Sequence, residues 1–322
     1  MITRRGVVGG LAAGIALPKR ALAQAYPTHP VRIIVPFAPG GGADIVSRLI
    51  SPYMQASLGQ SVIVENRAGA AGRIGTGVVA HSDPDGHTLL VSTESSLVIA
   101  PHIGQSIGYD PLKDFAPVSL LTRNTVMLVV HPSLPVQTLQ EFMALARSKP
   151  GELFYASSGV GGPNHLAGEI FNRMTGLKIT HVPFQGTGLA IQAVVSNQVP
   201  AMWGFMAGLI PHIRGGSLRA LAVGSLERSK ALPEVPTVAE AGVPGYEAVS
   251  WIGMVAPAGL PTPVMDKLSG AVHAAMMEKA VTDNLVGGGS EVVASKPDEF
   301  RQVMERDFVK YGKLSDLFKT AK

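Results

Sequence analysis

Apolar residues gather along the chain in short runs that alternate with helical periodicity. Val31-Arg32-Ile33-Ile34-Val35 is a β-branched run of the kind that forms a buried parallel strand. A Pro/Gly loop follows from Pro36 to Gly42. Ile45, Leu49, Ile50 and Met54 then repeat at helical spacing across 44–58. The same order recurs in 61–65 and 74–80, with another strand at 88–92. Beyond these, strand-like 122–130 leads to a helix opened by a capping box at Thr138 and Glu141. Strands at 153–156 and 179–182 flank a helix over 164–174 that Gly176 stops, and 190–196, 201–205 and 218–223 continue the alternation. After that the pattern turns helical, over 237–241, 262–277 and 295 to the end. Such alternation predicts an α/β protein with mostly parallel sheets flanked by helices. The absence of a repeat or low-complexity linker suggests two lobes joined by chain crossings.

The first residues follow a different grammar. Arg4-Arg5 precede an apolar run from Gly9 to Leu17, and Ala21-Leu22-Ala23 offers small residues for cleavage. Residues 1–23 therefore read as a cleaved secretory leader of twin-arginine type, which sends the rest to the periplasm. The leader also explains the charge. The chain of 322 residues carries a formal +4, and Arg4, Arg5, Lys19 and Arg20 supply all of it. A neutral body with 6% aromatic residues has no electrostatic footprint for nucleic acid. Cysteine is absent, which removes disulfides, thiolate metal sites and a cysteine nucleophile together. Hydrophobic residues at 46% supply a sizeable core.

Two loops share one design. Pro36-Phe37-Ala38-Pro39-Gly40-Gly41-Gly42-Ala43-Asp44 and Ser157-Ser158-Gly159-Val160-Gly161-Gly162-Pro163-Asn164-His165 each link a strand to a helix. Glycines let backbone N–H groups face a ligand, and the helix N-terminus adds about half a positive charge. Such loops hold a carboxylate without a cationic side chain. Phe184-Gln185-Gly186-Thr187-Gly188 is a third candidate. Gly-rich turns also serve merely to reverse a chain, and Asp44 and His165 have ordinary uses at a helix start. Gly104-Gln105-Ser106-Ile107-Gly108 matches a nucleophile elbow by letter but lacks the strand before and the helix after. His81 and His87 flank a turn whose spacing suits no helix face, so a solvated turn is expected there and no metal site.

Many short segments together resemble one family. They include Val64-Glu65-Asn66-Arg67-Ala68-Gly69-Ala70, Pro84-Asp85-Gly86-His87-Thr88-Leu89-Leu90, Tyr155-Ala156-Ser157-Ser158-Gly159, His181-Val182-Pro183-Phe184 and Leu218-Arg219-Ala220-Leu221-Ala222-Val223. From about Tyr26 onward, the sequence resembles the Bug-type periplasmic solute-binding proteins of tripartite tricarboxylate transporters. The resemblance implies a two-lobed, Venus-flytrap periplasmic-binding-protein fold without catalysis, cofactor or metal. One lobe would comprise 26–122 plus 225–322, the other 123–224. The lobes of a monomer would close on a small organic acid and pass it to membrane subunits. By position, the resemblance points to Phe37, Gly41, Asp44, Ser157, Gly161, His165 and Thr187. With the loops, Gly42, Ala43, Ser158, Asn164 and Gly186 complete the candidate ligand set. Ala43 and Gly162 stand where the family often has a hydroxyl, so a less polar ligand, a monocarboxylate, is expected. Asp44→Ala or Ser157→Ala should weaken binding with little loss of fold, and Gly41→Val should do more, by steric blocking and by denying a positive φ. The alternatives are a periplasmic sensor for a signalling receptor and an extracytoplasmic hydrolase using Ser106 or Ser157.

Overall fold

A computed structural model describes residues 26–102, 107–184 and 186–315. The leader over 1–23, Ser106 and Gln185 lie outside them.

Two sheets share one strand. In the first, β1 (Val31–Val35) has β2 (Val62–Asn66) and β3 (Thr88–Thr93) as parallel neighbours. The 16-residue β4 (Phe115–Val130) runs in the same direction but does not touch β3. Between them lies β9 (Val249–Pro257), antiparallel to both, while the short β10 (Ser290–Val292) pairs with β4 at Thr122–Asn124. From Val126 onward β4 belongs to the second sheet. There β8 (Arg219–Val223) and β7 (Ala201–Phe205) flank it antiparallel. Beyond β7 come β5 (Phe154–Ser157) and β6 (Thr180–Pro183), both parallel to β7. Both sheets are therefore mixed. The strand–helix repeats give the parallel pairs, and the strands that join the lobes give the antiparallel ones.

Alternation along the strands buries both faces. Val31, Ile33 and Val35 pack with α1 (Gly42–Leu58) and α7 (Thr262–Met277), and with Val281 and Leu285 of α8 (Lys279–Gly287). Ile34 faces the other way, toward Val79 of α2 (Arg73–Ala80) and Phe300 and Met304 of α9 (Pro297–Lys313). In the second sheet Val126, Leu128 and Val130 join α3 (Leu139–Ser148) and α4 (Pro163–Thr175). Met127 and Val129 join α5 (Thr187–Val195) and α6 (Met206–Arg214). The capping box read from sequence is present: Thr138 Oγ1 accepts the Glu141 N–H at 3.2 Å, and Glu141 Oε2 accepts the Thr138 N–H at 3.2 Å.

The lobe boundaries differ from those the sequence suggests. Arg123, Asn124 and Thr125 stay in the first sheet, paired with β9. Residues 225–248, assigned from sequence to the first lobe, pack on the second. Val238, Ala241, Val243 and Tyr246 enter the core that holds Phe171 and Trp203, and the Val238 N–H donates to Val223 O at 2.9 Å. Their spacing follows a folded loop and fits neither a strand nor a helix, so no period reveals which core they join. The expected helix at 237–241 is a single turn. Thr237 and Glu240 cap each other, but Gly242 takes φ +108° and ends it.

The chain thus crosses at Thr125–Val126 and returns at Ala248–Val249. Gly224 sits against both crossings. Its N–H donates to Val126 O at 2.7 Å, the Ala248 N–H donates to Gly224 O at 2.8 Å, and the Val126 N–H donates to Ala248 O at 3.2 Å.

Candidate functional site

Strand direction decides where the loops meet. β1 and β3 run toward the crossings, as the first half of β4 does, so their carboxyl ends face the second lobe. β5, β6 and β7 oppose the second half of β4, so their carboxyl ends face the first. The loops after β1, β5 and β6, and the start of α6 after β7, therefore open on one cleft between the lobes. This is the position at which α/β folds place ligands. α1, α4, α5 and α6 all begin there, at Gly41, Gly162, Gly186 and Phe205, and none has a side-chain cap. Their first-turn N–H groups have no side-chain acceptor, and their dipole ends are positive. α3 begins at the far end of β4 and carries its own cap.

In the first loop, Asp44 is a scaffold. Its carboxylate accepts from the Gly40 N–H at 2.9 Å, the Asn66 amide at 3.0 Å and Arg48 Nε at 2.9 Å. Asn66 also donates to Phe37 O at 3.1 Å, so the two side chains fix the loop from Phe37 to Gly40. Burial opposes the charge on Asp44. The hydrogen bonds from Arg48, Gly40 and Asn66 outweigh it and hold the carboxyl below its usual range. The positive φ falls on Gly40, at +84°, and not on Gly41, whose backbone is extended at φ −79°. Gly41→Val therefore meets no conformational strain, so of the two effects expected from sequence only the steric one is left. Ala43 packs into the core with Val46 and Ile50 and offers a ligand only its backbone. Gly42 and Gly41 are exposed and Phe37 is half-buried.

The second loop is built on two histidines. The Gly161 N–H donates to His165 Nδ1 at 3.1 Å, which leaves the proton on Nε2, facing Glu169 Oε1 at 4.0 Å. His181 lies tilted against His165 with ring centres 4.1 Å apart, and its Nε2 lies 2.6 Å from Ser157 Oγ. Ser157 also accepts the Gly159 N–H at 3.2 Å. Asn164 is fully buried, its amide nitrogen 3.4 Å from Ser158 Oγ and its Oδ1 without a partner among the described residues. Thr187 opens α5 and packs near Gly208 of α6, so the third loop faces the same cleft.

Burial holds both imidazoles neutral. It pushes His165 down to about 4, and burial together with neighbouring His165 pushes His181 to about 4. An unfolded histidine titrates near 6.5, so between about 6.5 and 4 the unfolded chain takes up protons that the folded chain refuses. The stability from neutral burial is complete above that window and is lost as pH falls through it. His165 accounts for at most about 3 kcal/mol, the half-exposed His181 for less. Urea unfolding at pH 7, 5.5 and 4.5 is expected to show this loss, with a shallower slope in His165→Gln. Equal slopes in the two proteins would disprove it.

Two other clusters are explained by packing. Ser157 and His181 stand at a nucleophile–base distance, but Ser157 is fully buried, and among the described residues no carboxylate is hydrogen-bonded to His181. His29, Asp85 and His87 bring ligand atoms within 4.8 Å of one another. The two rings stack at 3.6 Å with planes 22° apart, so their in-plane lone pairs do not converge, and His87 Nε2 already accepts the Thr28 N–H at 3.2 Å. The turn is solvated at His81, Asp83, Pro84 and Asp85, as expected, but His87 itself is buried beneath Tyr26 and His29.

Sequence reasoning misses Glu94 and the start of α6. Glu94 follows the last residue of β3 and is fully buried at the crossings. A lone acid after an apolar run carries no sequence cue to such a place. The start of α6 carries the single glycines Gly204 and Gly208 and not the glycine run that marks the first two loops.

The family model of the tripartite tricarboxylate transporter family receptor matches residues 46–317. Protein BugT of Bordetella pertussis is 39% identical over 290 residues, covering 90% of this chain and 88% of its own. An R. palustris protein solved with adipate superposes with a TM-score of 0.83 at 34% identity, covering 91% of this chain and 98% of its own. MatC from Rhodopseudomonas palustris, solved with bound malate, gives 0.81 at 35% identity, covering 90% and 100%.

Proposed function

The chain belongs to the tripartite tricarboxylate transporter receptor family, and from that premise we propose that it captures a small organic carboxylate between its lobes and delivers it to membrane subunits of such a transporter. The observation that carries this reading is the convergence of four uncapped helix N-termini, two facing loops among them, on one cleft. Nothing in that arrangement needs a bond to be made or broken. The protein holds its ligand and lets it go. Its place is the periplasm, as the leader over 1–23 implies. Among the described residues no helix is long and apolar enough to cross a membrane.

Relatives hold adipate and malate. In this chain Val160 and Leu189 are more than half exposed beside the starts of α4 and α5, and Gly162 offers no hydroxyl. These features support a ligand with one carboxylate and a less polar body. Thermal unfolding against acetate, hexanoate, benzoate, malate, adipate and citrate tests it. A ligand at about 100 times its Kd adds about 2.7 kcal/mol, a rise of several degrees in Tm. Hexanoate or benzoate is expected to give the largest rise. A largest rise from citrate would overturn the ligand class. No rise from any acid, before or after unfolding and refolding, would overturn the binding reading.

A further inference from the structure

The Glu94 carboxyl is fully buried where the lobes meet. Its Oε2 accepts the Trp251 N–H at 3.1 Å, and the Ser250 side chain adds a second hydrogen bond. Oε1 has no partner among the described residues. The carboxyl lines a small pocket whose walls come from both lobes. Pro163, Leu166, Ala167 and Ile170 of α4 form one side, Ser250 and Tyr311 the other. Leu166 reaches across, packing in the core of Trp251 and Phe300.

The charged groups around Glu94 are already engaged. On α9, Asp307 accepts the Trp251 indole N–H at 2.9 Å and the Arg306 guanidinium at 2.9 Å. Lys310 lies 3.9 Å from Glu247, and Tyr311 is buried and neutral. α4 turns its His165 and Glu169 away, toward Gly161 and Tyr155. An ionised Glu94 would thus face apolar α4 side chains without a counter-ion of its own.

We propose that Glu94 is a proton-operated latch on lobe closure: when α4 swings onto the crossings it seals this carboxyl from water, so the closed form takes up a proton that the open form does not hold. The latch rests on the binding reading above. Burial pushes Glu94 up to about 7, against the hydrogen bonds from Ser250 and Trp251 and with a smaller push from Asp307. With α4 withdrawn, water reaches the carboxyl and it titrates near the ordinary range. A group protonated more in the closed form eases closure as pH falls and hinders it as pH rises.

Calorimetric titration with hexanoate, benzoate, adipate and malate at pH 6 and pH 8 tests the latch, beside small-angle scattering of the ligand-free protein. The acid that binds is expected to bind about tenfold more weakly at pH 8 than at pH 6. The ligand-free protein should be more compact at pH 6. Glu94→Gln removes both differences. Ser250→Ala, which deletes a hydrogen bond favouring the ionised form, moves the fall in affinity to higher pH. A native protein with constant affinity and compactness would overturn the latch, as would a Glu94→Gln protein that keeps the native pH slope. If none of the four acids binds at either pH, the binding reading fails, and the scattering arm decides the latch alone.

Discussion

Asp44→Ala is expected to lower folding stability by about 2–4 kcal/mol and to weaken carboxylate binding more than tenfold. The carboxylate is 4% exposed and holds three donors at 3.0 Å or less. Alanine leaves the Gly40 N–H without its acceptor, takes one of the two acceptors of the Asn66 amide and leaves Arg48 only its hydrogen bond to Asn66. The half-exposed Arg48 recovers much of its loss in water, which keeps the cost below that of a fully buried ion pair. Asn66 then holds the loop at Phe37 alone, Gly40 is released, and the N–H groups of α1 lose their aim. Stability and affinity should fall together, unlike the selective loss expected from sequence. Urea unfolding and calorimetry on Asp44→Ala and Asp44→Asn check this. Weakened binding with unchanged stability would return Asp44 to direct ligand contact.

Gly224→Ala is expected to cost about 2–3 kcal/mol by forcing the two crossings apart. A Cβ at this position would lie 2.8 Å from both Ala248 O and Val126 O. These are backbone atoms held in the hydrogen bonds of the crossings, so neither can step aside as a flexible side chain would. Gly77→Ala in α2 is the control. An added Cβ there meets nothing within 4 Å, and alanine is the better helix former, so its effect should be neutral or slightly stabilising. If both variants unfold at the same urea concentration as the native chain, the close approach at Gly224 has no energetic weight.

Local sequence fixes the parallel parts of the fold and hides the strand between them. The run over Val31–Val35, the helix after it and the Thr138 cap need no distant partner, and each forms where its pattern predicts. β9 escapes because Gly253 interrupts it and Pro257 ends it, both of which read as breakers. The glycine exists for a tertiary reason: a Cβ there would come within 2.1 Å of the Phe300 ring on α9. The ligand loops are legible for a similar reason in reverse, since their glycines and helix starts are local. Which residues in them are free is not local. Asp44 looks like a ligand group until Asn66, 22 residues away, is seen to occupy it. His181 looks remote until β6 lies beside β5 and brings it to Ser157.

The order of strands also sets the order in which the molecule is completed. The second lobe is contiguous from Val126 to Ala248 and has every strand it needs once β8 has been made. The first lobe does not. β3 and β4 wait with facing edges unpaired until 249–257 emerges and slides between them, joining residues about 160 positions apart such as Val91 and Met254. Long-range pairing of this kind is slow, and open strand edges invite wrong partners meanwhile. The half-made first lobe is therefore the stage at which the newborn chain most needs shielding, and a premature stop before β9 leaves a finished second lobe attached to an unclosed sheet.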